Sequence, residues 1–596
     1  MTRSEIPRAI LFLFYIHFSF FTLYIPCCCI NLYAKEKSAA PSQALCEGLI
    51  LQGRIKPDFT STEKKLICGD QGAWRKLPIA QIKFNISNFL QTRGYLHPSF
   101  LIEHQENAQE QYLDTLIVNV GEPTRVGSFT TQGGPPGLEV WRHRGIVGAT
   151  LTPQLLGSLE QWITQRLSAI GYPCPKVTAR ADSETGAVVA EVDPGPLQNL
   201  TSINSESVPG VTDGMLSRYD AFQLGDLYNA DLLTVTMNRI TSLNLLQATY
   251  FTTTCTKSGA VARQEITAGP PRLVTFGIGI DTEGVIQLRS TWRNSRLDSH
   301  ASMAQASVQF SSVDQNIDGF INWYNFPFPS RRFIHPSYKL QHLNLNAYEI
   351  ISSRGGIAIG TSYDRDPVGL QFLIGPMIEL DRTLRGSGVQ NPNLEFAELE
   401  ASLRVQSHLF EYWATDPRAG YSVAMVTDFS AASLGSSSSA QRLNLTGEAL
   451  WNYREYDPPL WIFGLRGGIA TTISSERPGL ASKIPANFFW YLGGSGDLRG
   501  FALQSIPSLG AMTDFYLDPE LRLTDLPLFG IQPFVFCDFG MTGLSPVSLD
   551  SPLLYSPGIG LRYKSPFGVF RTTLARGYPL DTPGGWNFYF SFGEEF

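Results

Sequence analysis

The sequence has few charged residues and, beyond its first 34 positions, no segment that is continuously apolar. Asp, Glu, Lys and Arg make up 17% of the 596 residues, and the net charge is −7. No basic patch or stripe stands out, which argues against a nucleic-acid partner. The eight His are scattered, and no CxxC pair or His/Cys cluster follows metal-ligand spacing. The sequence therefore predicts no metal, no cofactor and no nucleic-acid partner.

Sequence signatures of catalysis are also missing. The chain has no Gly-x-Ser-x-Gly elbow and no His-Glu-x-x-His motif, so neither lipase nor metalloprotease chemistry is supported. No nucleophile and base pairing is recognisable. We expect a protein that is not an enzyme.

Residues 1–34 have the pattern of a signal peptide. Arg3 and Arg8 form a positive n-region, an apolar run follows to Pro26, and Leu32 to Ala34 offers a small-residue cleavage site. A permanent transmembrane anchor is the alternative, because the run is just long enough to span a bilayer. In an exported chain Cys46 and Cys68 are near enough in sequence to pair, although sequence does not fix the connectivity.

One pattern occurs three times between residues 45 and 269. An amphipathic helix runs into a Tyr, a strand follows, and the unit ends in Gly and Pro. In the second unit Leu159, Trp162, Ile163 and Leu167 share one helical face. The marker residues recur about every 75 positions: Tyr95, Tyr172 and Tyr250, and Gly121, Gly195 and Gly269. The repeats predict three small α+β modules at residues 45–121, 122–195 and 196–269.

From residue 270 onward, helical spacing gives way to alternation. Val274, Phe276, Ile278 and Ile280 alternate with polar residues or glycine, the dyad of a transmembrane antiparallel β-barrel. At about 20 residues for each strand and its turn, residues 270–596 predict about sixteen strands. A soluble β-sandwich is the alternative, but it does not explain the aromatic face of the last strand: Trp586, Phe588, Phe590, Phe592 and the terminal Phe596.

The stretch from residue 493 to 501 reads Gly-Gly-Ser-Gly-Asp-Leu-Arg-Gly-Phe. Its glycines allow tight turns, and its spacing fits neither a P-loop nor a dinucleotide fingerprint. It resembles the Arg-Gly-Phe lid-loop motif of the BamA/TamA superfamily, outer-membrane barrels that insert or export other outer-membrane proteins. Residues 536–540 match the superfamily's Phe-x-Asp-x-Gly motif, and the chain end resembles its C-terminal β-signal. The lid-loop residues are Gly493, Gly494, Gly496, Arg499, Gly500 and Phe501.

A guanidinium folded into a barrel lumen needs an acidic partner, because a buried unpaired charge is costly. By the resemblance, Asp538 is the first candidate partner of Arg499 and Glu520 the second, and pairing of Asp538 with Arg522 is the alternative. Such a network would act as a latch that holds the loop in the lumen and keeps the seam between first and last strands closed. The lumen candidates are Asp538, Glu520, Arg522, Phe536 and Gly540; the seam and β-signal candidates are Phe588, Phe590, Phe592, Gly593 and Phe596.

The resemblance implies an integral outer-membrane protein whose POTRA modules lie in the periplasm. It further implies a TamA-like assembly or translocation factor, whose partners are unfolded outer-membrane or autotransporter clients, a periplasm-spanning TamB-like protein and the lipid bilayer. Three modules favour this type, because BamA-like members usually carry more and two-partner secretion exporters usually two. A general BamA-type insertase and a two-partner exporter are the near alternatives. A passive channel or adhesin belongs to a different class and has no need of repeated modules.

Overall fold

The computed structural model describes most of the chain after its N-terminal segment. The predicted signal peptide and Phe596 lie outside the described residues, which are 42–54, 57–69, 74–106, 112–283, 285–324, 331–386, 393–478, 482–524, 530–579 and 585–593. Among these residues no helix has both the length and the apolar character needed to cross a bilayer.

The first module packs two helices against a four-stranded sheet. Its elements are β1 (Ser42–Cys46), β2 (Leu49–Gln52), α1 (Ser61–Cys68), α2 (Ile79–Gln91), β3 (Ser99–Glu106) and β4 (Tyr112–Asn119). The strand order is β1-β2-β4-β3, with β2 parallel to β4. A capping box formed by Thr60 and Glu63 begins α1. A disulfide joins Cys46 to Cys68 and ties β1 to α1.

The second and third modules repeat one topology. Each has a first strand parallel to its last and an antiparallel pair formed by the last two strands, in the orders β5-β7-β6 and β8-β10-β9. The elements are β5 (Ser128–Gly133), α3 (Pro153–Ala169), β6 (Lys176–Ala181), β7 (Ala187–Asp193), β8 (Leu200–Ser205), α4 (Asp213–Ser217), α5 (Ala230–Ser242), β9 (Ala248–Thr256) and β10 (Gly259–Thr267).

Each of these modules therefore has strands that the repeat pattern did not reveal. The pattern predicted a helix and one following strand, whereas the structure adds a strand before the helix and a second strand after it. The leading strands, Ser-Phe-Thr-Thr-Gln-Gly and Leu-Thr-Ser-Ile-Asn-Ser, carry too few apolar residues to stand out by alternation.

A second disulfide, Cys174 to Cys255, joins the second module to the third. Cys174 lies two residues before β6, and Cys255 lies near the end of β9. Gln198 also donates from Nε2 to the carbonyl of Thr256 at 2.9 Å. The start of β6 and the end of β9 are thus fixed to one another.

Sixteen antiparallel strands then form a closed barrel, which confirms the predicted fold class. The strands are β11 (Arg272–Asp281), β12 (Val285–Asn294), β13 (Met303–Phe310), β14 (Asp314–Asn322), β15 (Arg332–Asn344), β16 (Glu349–Arg365), β17 (Val368–Arg385), β18 (Asn393–Ser407), β19 (Gly420–Ser430), β20 (Ala440–Asn452), β21 (Trp461–Ser474), β24 (Thr513–Leu523), β25 (Ile531–Gly543), β26 (Leu554–Ser565), β27 (Gly568–Arg576) and β28 (Trp586–Gly593). A short pair, β22 (Trp490–Leu492) with β23 (Ile506–Ala511), lies between β21 and β24.

The strands differ greatly in length around the barrel. The first strand, the last strand and the strands near them are short: β11 has 10 residues, β13 has 8 and β28 has 8. On the opposite wall β16 has 17 residues and β17 has 18. Short 3-10 turns lie at Val140–Arg142, Ala432–Leu434, Tyr453–Glu455 and Ala486–Phe488.

The barrel wall alternates as the sequence pattern predicts. Phe276 and Ile278 of β11 and Trp586 and Phe588 of β28 are exposed on the outer face. Tyr589, one residue further along, is buried inside. The outward apolar side chains form the surface that lipid requires.

The second and third modules dock on one end of the barrel. Arg239 of α5 donates from Nη2 to Asp364 at 2.7 Å and from Nε to Glu411 at 2.5 Å. Glu411 belongs to α6 (His408–Tyr412), which follows β18. From α3, Trp162 donates to the Asp457 carboxylate at 2.9 Å in the turn between β20 and β21. Because successive strands alternate in direction, the connection from β21 to β24 lies at the other end.

Candidate functional site

The segment from residue 475 to 512, which connects β21 to β24, is called the lid loop here. It contains the β22–β23 pair and the predicted lid-loop residues. Leu498, Arg499 and Phe501 are all buried. Gly493 and Gly494 have positive φ values of 114° and 118°, which favour glycine.

Arg499 makes the most extensive polar contacts of the lid loop. Its backbone N–H and its Nε each donate to Asp538 Oδ2 at 2.9 Å, and Nη2 donates to Oδ1 at 2.5 Å. Nη1 donates to Glu520 at 3.0 Å. The guanidinium also lies 3.4 Å from the ring centroid of Phe536, a cation–π contact. Arg499 is 2% exposed, so these contacts are shielded from water.

The other lumen candidates complete a network around Arg499. Arg522 donates from Nε to Glu520 at 2.8 Å, and Arg571 also pairs with Glu520. Ser556 donates to Asp538 at 3.2 Å. The structure thus brings Arg499, Asp538 and Glu520 together. Arg522 forms its ion pair with Glu520, not with Asp538 as the alternative prediction had it. We call the contacts of Arg499 with Asp538 and Glu520 the latch.

Two glycines permit the close approach that the latch requires. A Cβ on Gly540 would lie 2.7 Å from the side chain of Leu498. A Cβ on Gly500 would lie 2.4 Å from the backbone N of Gly577, in the connection between β27 and β28. Both distances are shorter than carbon contacts allow. At Gly500 the contact is with backbone, so any larger residue there would push the loop away from the wall, whereas at Gly540 the side chain of Leu498 would have to shift. Gly496 has open space around it and carries no such constraint.

The barrel is closed at its seam by a short ladder. Within the described residues β11 and β28 pair only at Ile280 with Phe592 and at Asp281 with Ser591. The neighbouring ladder of β27 with β28 runs over the whole of β28. Of the barrel ladders in the described part of the chain, the seam is the shortest, so it has the fewest backbone hydrogen bonds to break.

The lid loop contacts both sides of this seam. Ser495 donates its backbone N–H to Glu283 at 2.9 Å, in the turn after β11, and their side chains also bond. On the other side Tyr589 of β28 donates its hydroxyl to the carbonyl of Phe501 at 2.6 Å. Sequence reasoning missed Glu283 and Tyr589. The sequence does contain a signal for Tyr589. It is an aromatic residue with a hydroxyl group on the inner face of β28, whereas the other aromatic residues of this strand lie on the outer face.

The remaining aromatic seam candidates share the outward face of β28 but differ in exposure. Phe588 lies on the lipid side, and Phe590 and Phe592 are half-buried. The ring of Phe592 stacks on Phe570 with centroids 4.4 Å apart. Gly593 has a φ of 144° and lies beside Gly279 of β11.

A second contact region anchors the first half of the lid loop, and sequence reasoning missed it too. Asn487 donates to Glu379 at 3.1 Å, and Phe488 is fully buried against Phe396 with ring centroids 4.6 Å apart. The Arg442 guanidinium lies 3.8 Å from the Phe488 centroid. These contacts join the loop to β17, β18 and β20, far along the barrel from the latch.

Replacing Arg442 should loosen this second anchor. Its Nη2 donates to Glu379 at 2.8 Å and to Glu398 at 3.0 Å, both buried. Arg442→Met leaves these carboxylates with Arg354 as their remaining cation, and we expect a loss of about 2–3 kcal/mol in barrel stability. Unfolding monitored by the gel shift of heated against unheated barrel measures it. Arg404→Met, at an exposed lumen arginine of β18, is the control. Equal stability of both variants would contradict the anchor.

Two cavities meet at the latch. One, of about 680 Å³, extends from Arg499 and Glu520 towards α6 and the module end of the barrel. The other, of about 170 Å³, lies between the lid loop and the seam and is lined by Glu283 and Tyr589. Three arginines line both cavities: Arg466, Arg499 and Arg571. The latch therefore separates the lumen from the inner side of the seam.

This architecture agrees with a family comparison. The model of the Omp85 superfamily domain matches residues 414–596. This part of the chain is an Omp85 superfamily domain. It contains the lid loop, both latch acids and the last strand, so the superfamily resemblance predicted from the sequence is confirmed. An Omp85-type barrel is an integral protein of the outer membrane, and the three preceding modules resemble POTRA domains.

Three solved structures are similar to this chain at low sequence identity. A BamA from Haemophilus ducreyi lacking POTRA domains 1–3 has 16% identity and a TM-score of 0.48, covering 75% of this chain and 94% of its own. CdiB from Acinetobacter baumannii has 14% identity and a TM-score of 0.44, covering 79% and 90%. CdiB from Escherichia coli has 14% identity and a TM-score of 0.45, covering 90% and 99%. No curated protein matches the sequence.

Proposed function

We propose that this protein inserts or translocates other outer-membrane proteins through the seam between β11 and β28, under control of the lid loop. One observation carries the proposal: the lid loop contacts both sides of the shortest described ladder while the latch holds the loop to β24 and β25. Release of the latch would free both seam contacts together. No bond in a client is made or broken.

An opened seam would present strand edges inside the bilayer. Each backbone N–H or C=O left without a partner in lipid costs several kcal/mol, so a client strand that pairs with the edge is strongly favoured. In the described seam two ladder pairs and the hydrogen bond from the Thr282 N–H to the Phe590 carbonyl, at 3.1 Å, must separate first. The proposed reaction is thus an exchange of one strand partner for another.

The modules would receive clients in the periplasm. In the described residues β9 pairs with a single neighbouring strand, which leaves its other edge without a ladder partner. The matching edge of β6 is partly capped, because the Ala179 N–H donates to Glu160 at 2.7 Å. An extended peptide can join such an edge through backbone hydrogen bonds with little demand on its sequence. This suits a factor that handles several unfolded clients.

Within this class we propose the TamA-like role, with outer-membrane or autotransporter clients and a TamB-like partner. The count of three modules supports it. A general BamA-type insertase and a two-partner secretion exporter are the alternatives. A passive channel would use neither the modules nor the seam contacts.

Depletion of the protein in its host, followed by quantitative proteomics of the outer membrane, tests the proposal. We expect loss of a small set of barrel proteins or autotransporters, because a TamA-like factor serves selected clients. Loss of barrel proteins in general would point instead to a BamA-type insertase, and loss of one secreted partner to a two-partner exporter. An unchanged outer-membrane proteome with altered solute permeability would contradict the whole class.

A further inference from the structure

The larger lumen cavity is rich in cations. Among its described lining residues are seven Arg or Lys and three Asp or Glu. Four of the cations lie outside the latch network: Arg404, Arg466, Arg562 and Lys564. A cleft lined mainly by one sign of charge within low-dielectric walls focuses the field and raises the local concentration of the opposite charge. The cavity is therefore suited to an anionic ligand.

This cavity is continuous with the module end of the barrel. The segment after α6, including Ala414, Thr415 and Pro417, forms part of its wall. Arg404 and Gln406 also line a neighbouring cavity of about 420 Å³, whose walls include Arg218 and Arg239 of the third module. Asp364 and Glu411, which pair with Arg239, line this neighbouring cavity too, so the path from the third module is polar and its cation-rich part lies in the larger cavity.

We propose that this cavity binds an acidic segment of a polypeptide that enters from the third module. The choice of a polypeptide as the ligand rests on the proposed function. Its volume lies within the range of about 300–1,000 Å³ that is typical of ligand sites. Arginine forks bind carboxylates in bidentate geometry. A lipid phosphate is disfavoured because the walls are inner faces of strands and α6 rather than the lipid side.

Binding there would act on the latch. Glu520 is held by Arg499, Arg522 and Arg571, and all four residues line the cavity. Because Arg499 itself lines the cavity, a carboxylate that reaches its Nη1 competes with Glu520 for that hydrogen bond and weakens the hold of the latch. A ligand that enters from the modules would therefore loosen the lid loop, which contacts both sides of the seam.

Binding of fluorescently labelled hexaglutamate to the full-length protein in zwitterionic nanodiscs tests this inference. We expect saturable binding that weakens as salt rises, and no binding of hexalysine. The double variant Arg404→Glu with Lys564→Glu should bind about tenfold more weakly, because two attractive charges become repulsive. Arg289→Glu, at a lumen arginine outside the cavity lining, should bind like the parent protein.

Three outcomes would overturn the inference. These are absence of hexaglutamate binding, equal weakening by Arg289→Glu, and displacement of the peptide by inorganic phosphate at equal concentration, which would indicate a site for small anions. Anionic-lipid nanodiscs that abolish binding would identify lipid phosphate as the occupant. The proposed function is judged separately by the outer-membrane proteome after depletion, so either conclusion can fail while the other stands.

Discussion

Asp538→Ala is expected to abolish assembly activity while the barrel still reaches the membrane and folds. Asp538 is fully buried and accepts hydrogen bonds from three nitrogen atoms of Arg499: the backbone N, Nε and Nη2. Breaking a buried ion pair by removing one partner costs about 3–5 kcal/mol. The lid loop should therefore leave the lumen, whereas the sixteen-strand ladder keeps its backbone hydrogen bonds. Assembly of a client barrel in reconstituted membranes and protease cleavage of the lid loop measure the two effects.

Asp318→Ala is the matched control for this variant. Asp318 lies on the inner face of β14, away from the lid loop, and is half-buried. It should retain client assembly and a protected loop. Full activity of Asp538→Ala would show that the latch is not needed, and loss of the folded barrel would show that Asp538 acts mainly on stability.

Cross-linking the seam is expected to stop client insertion completely. Ile280 and Phe592 face each other across β11 and β28, so cysteines at these positions lie within reach of a disulfide or a short bismaleimide. A covalent bond there prevents the strand exchange on which the proposed function depends. The variant needs Cys537→Ser, because Cys537 is the free cysteine of the described residues. Client assembly before and after cross-linking is the measurement.

A second cysteine pair is the control. It distinguishes the effect of closing the seam from the effect of the cross-linking reaction itself. Ile278 and Leu288 pair across β11 and β12, a ladder that the proposed function leaves closed. Their cross-linking should leave client assembly unchanged. Normal assembly with a fully cross-linked seam would contradict lateral exchange and favour transport through the lumen.

The barrel could be predicted because its signals are local, whereas the pairing of Arg499 with Asp538 was predicted from the resemblance to the superfamily motifs. Alternation in β11 and β28 specifies which face meets lipid, and period-2 spacing places Asp518, Glu520 and Arg522 on one face. The modules could be counted from helical stripes and recurring Gly and Pro. The first strands of the second and third modules could not be predicted from the sequence, because β5 and β8 are short and polar. They are strands because they pair with β7 and β10.

The contacts of the lid loop with the rest of the barrel were beyond sequence reasoning for another reason. Glu283 meets Ser495 across more than two hundred positions, and Asn487 meets Glu379 across about a hundred. Such pairs depend on which part of the barrel wall a long loop contacts, and no local sequence pattern specifies that contact. The disulfide of Cys174 with Cys255 is similar, because it depends on how two modules abut.

The uneven strand lengths have a consequence for the surrounding lipid. A strand needs about 9–11 residues to cross a bilayer, and β13 and β28 have 8 described residues each, whereas β17 has 18. Where a protein wall is shorter than the hydrocarbon layer, the bilayer thins to match it. The membrane should therefore be thinner on the side of the barrel that contains the seam than beside β16 and β17, so a nascent hairpin inserting at the seam would have less hydrocarbon to cross than at that wall.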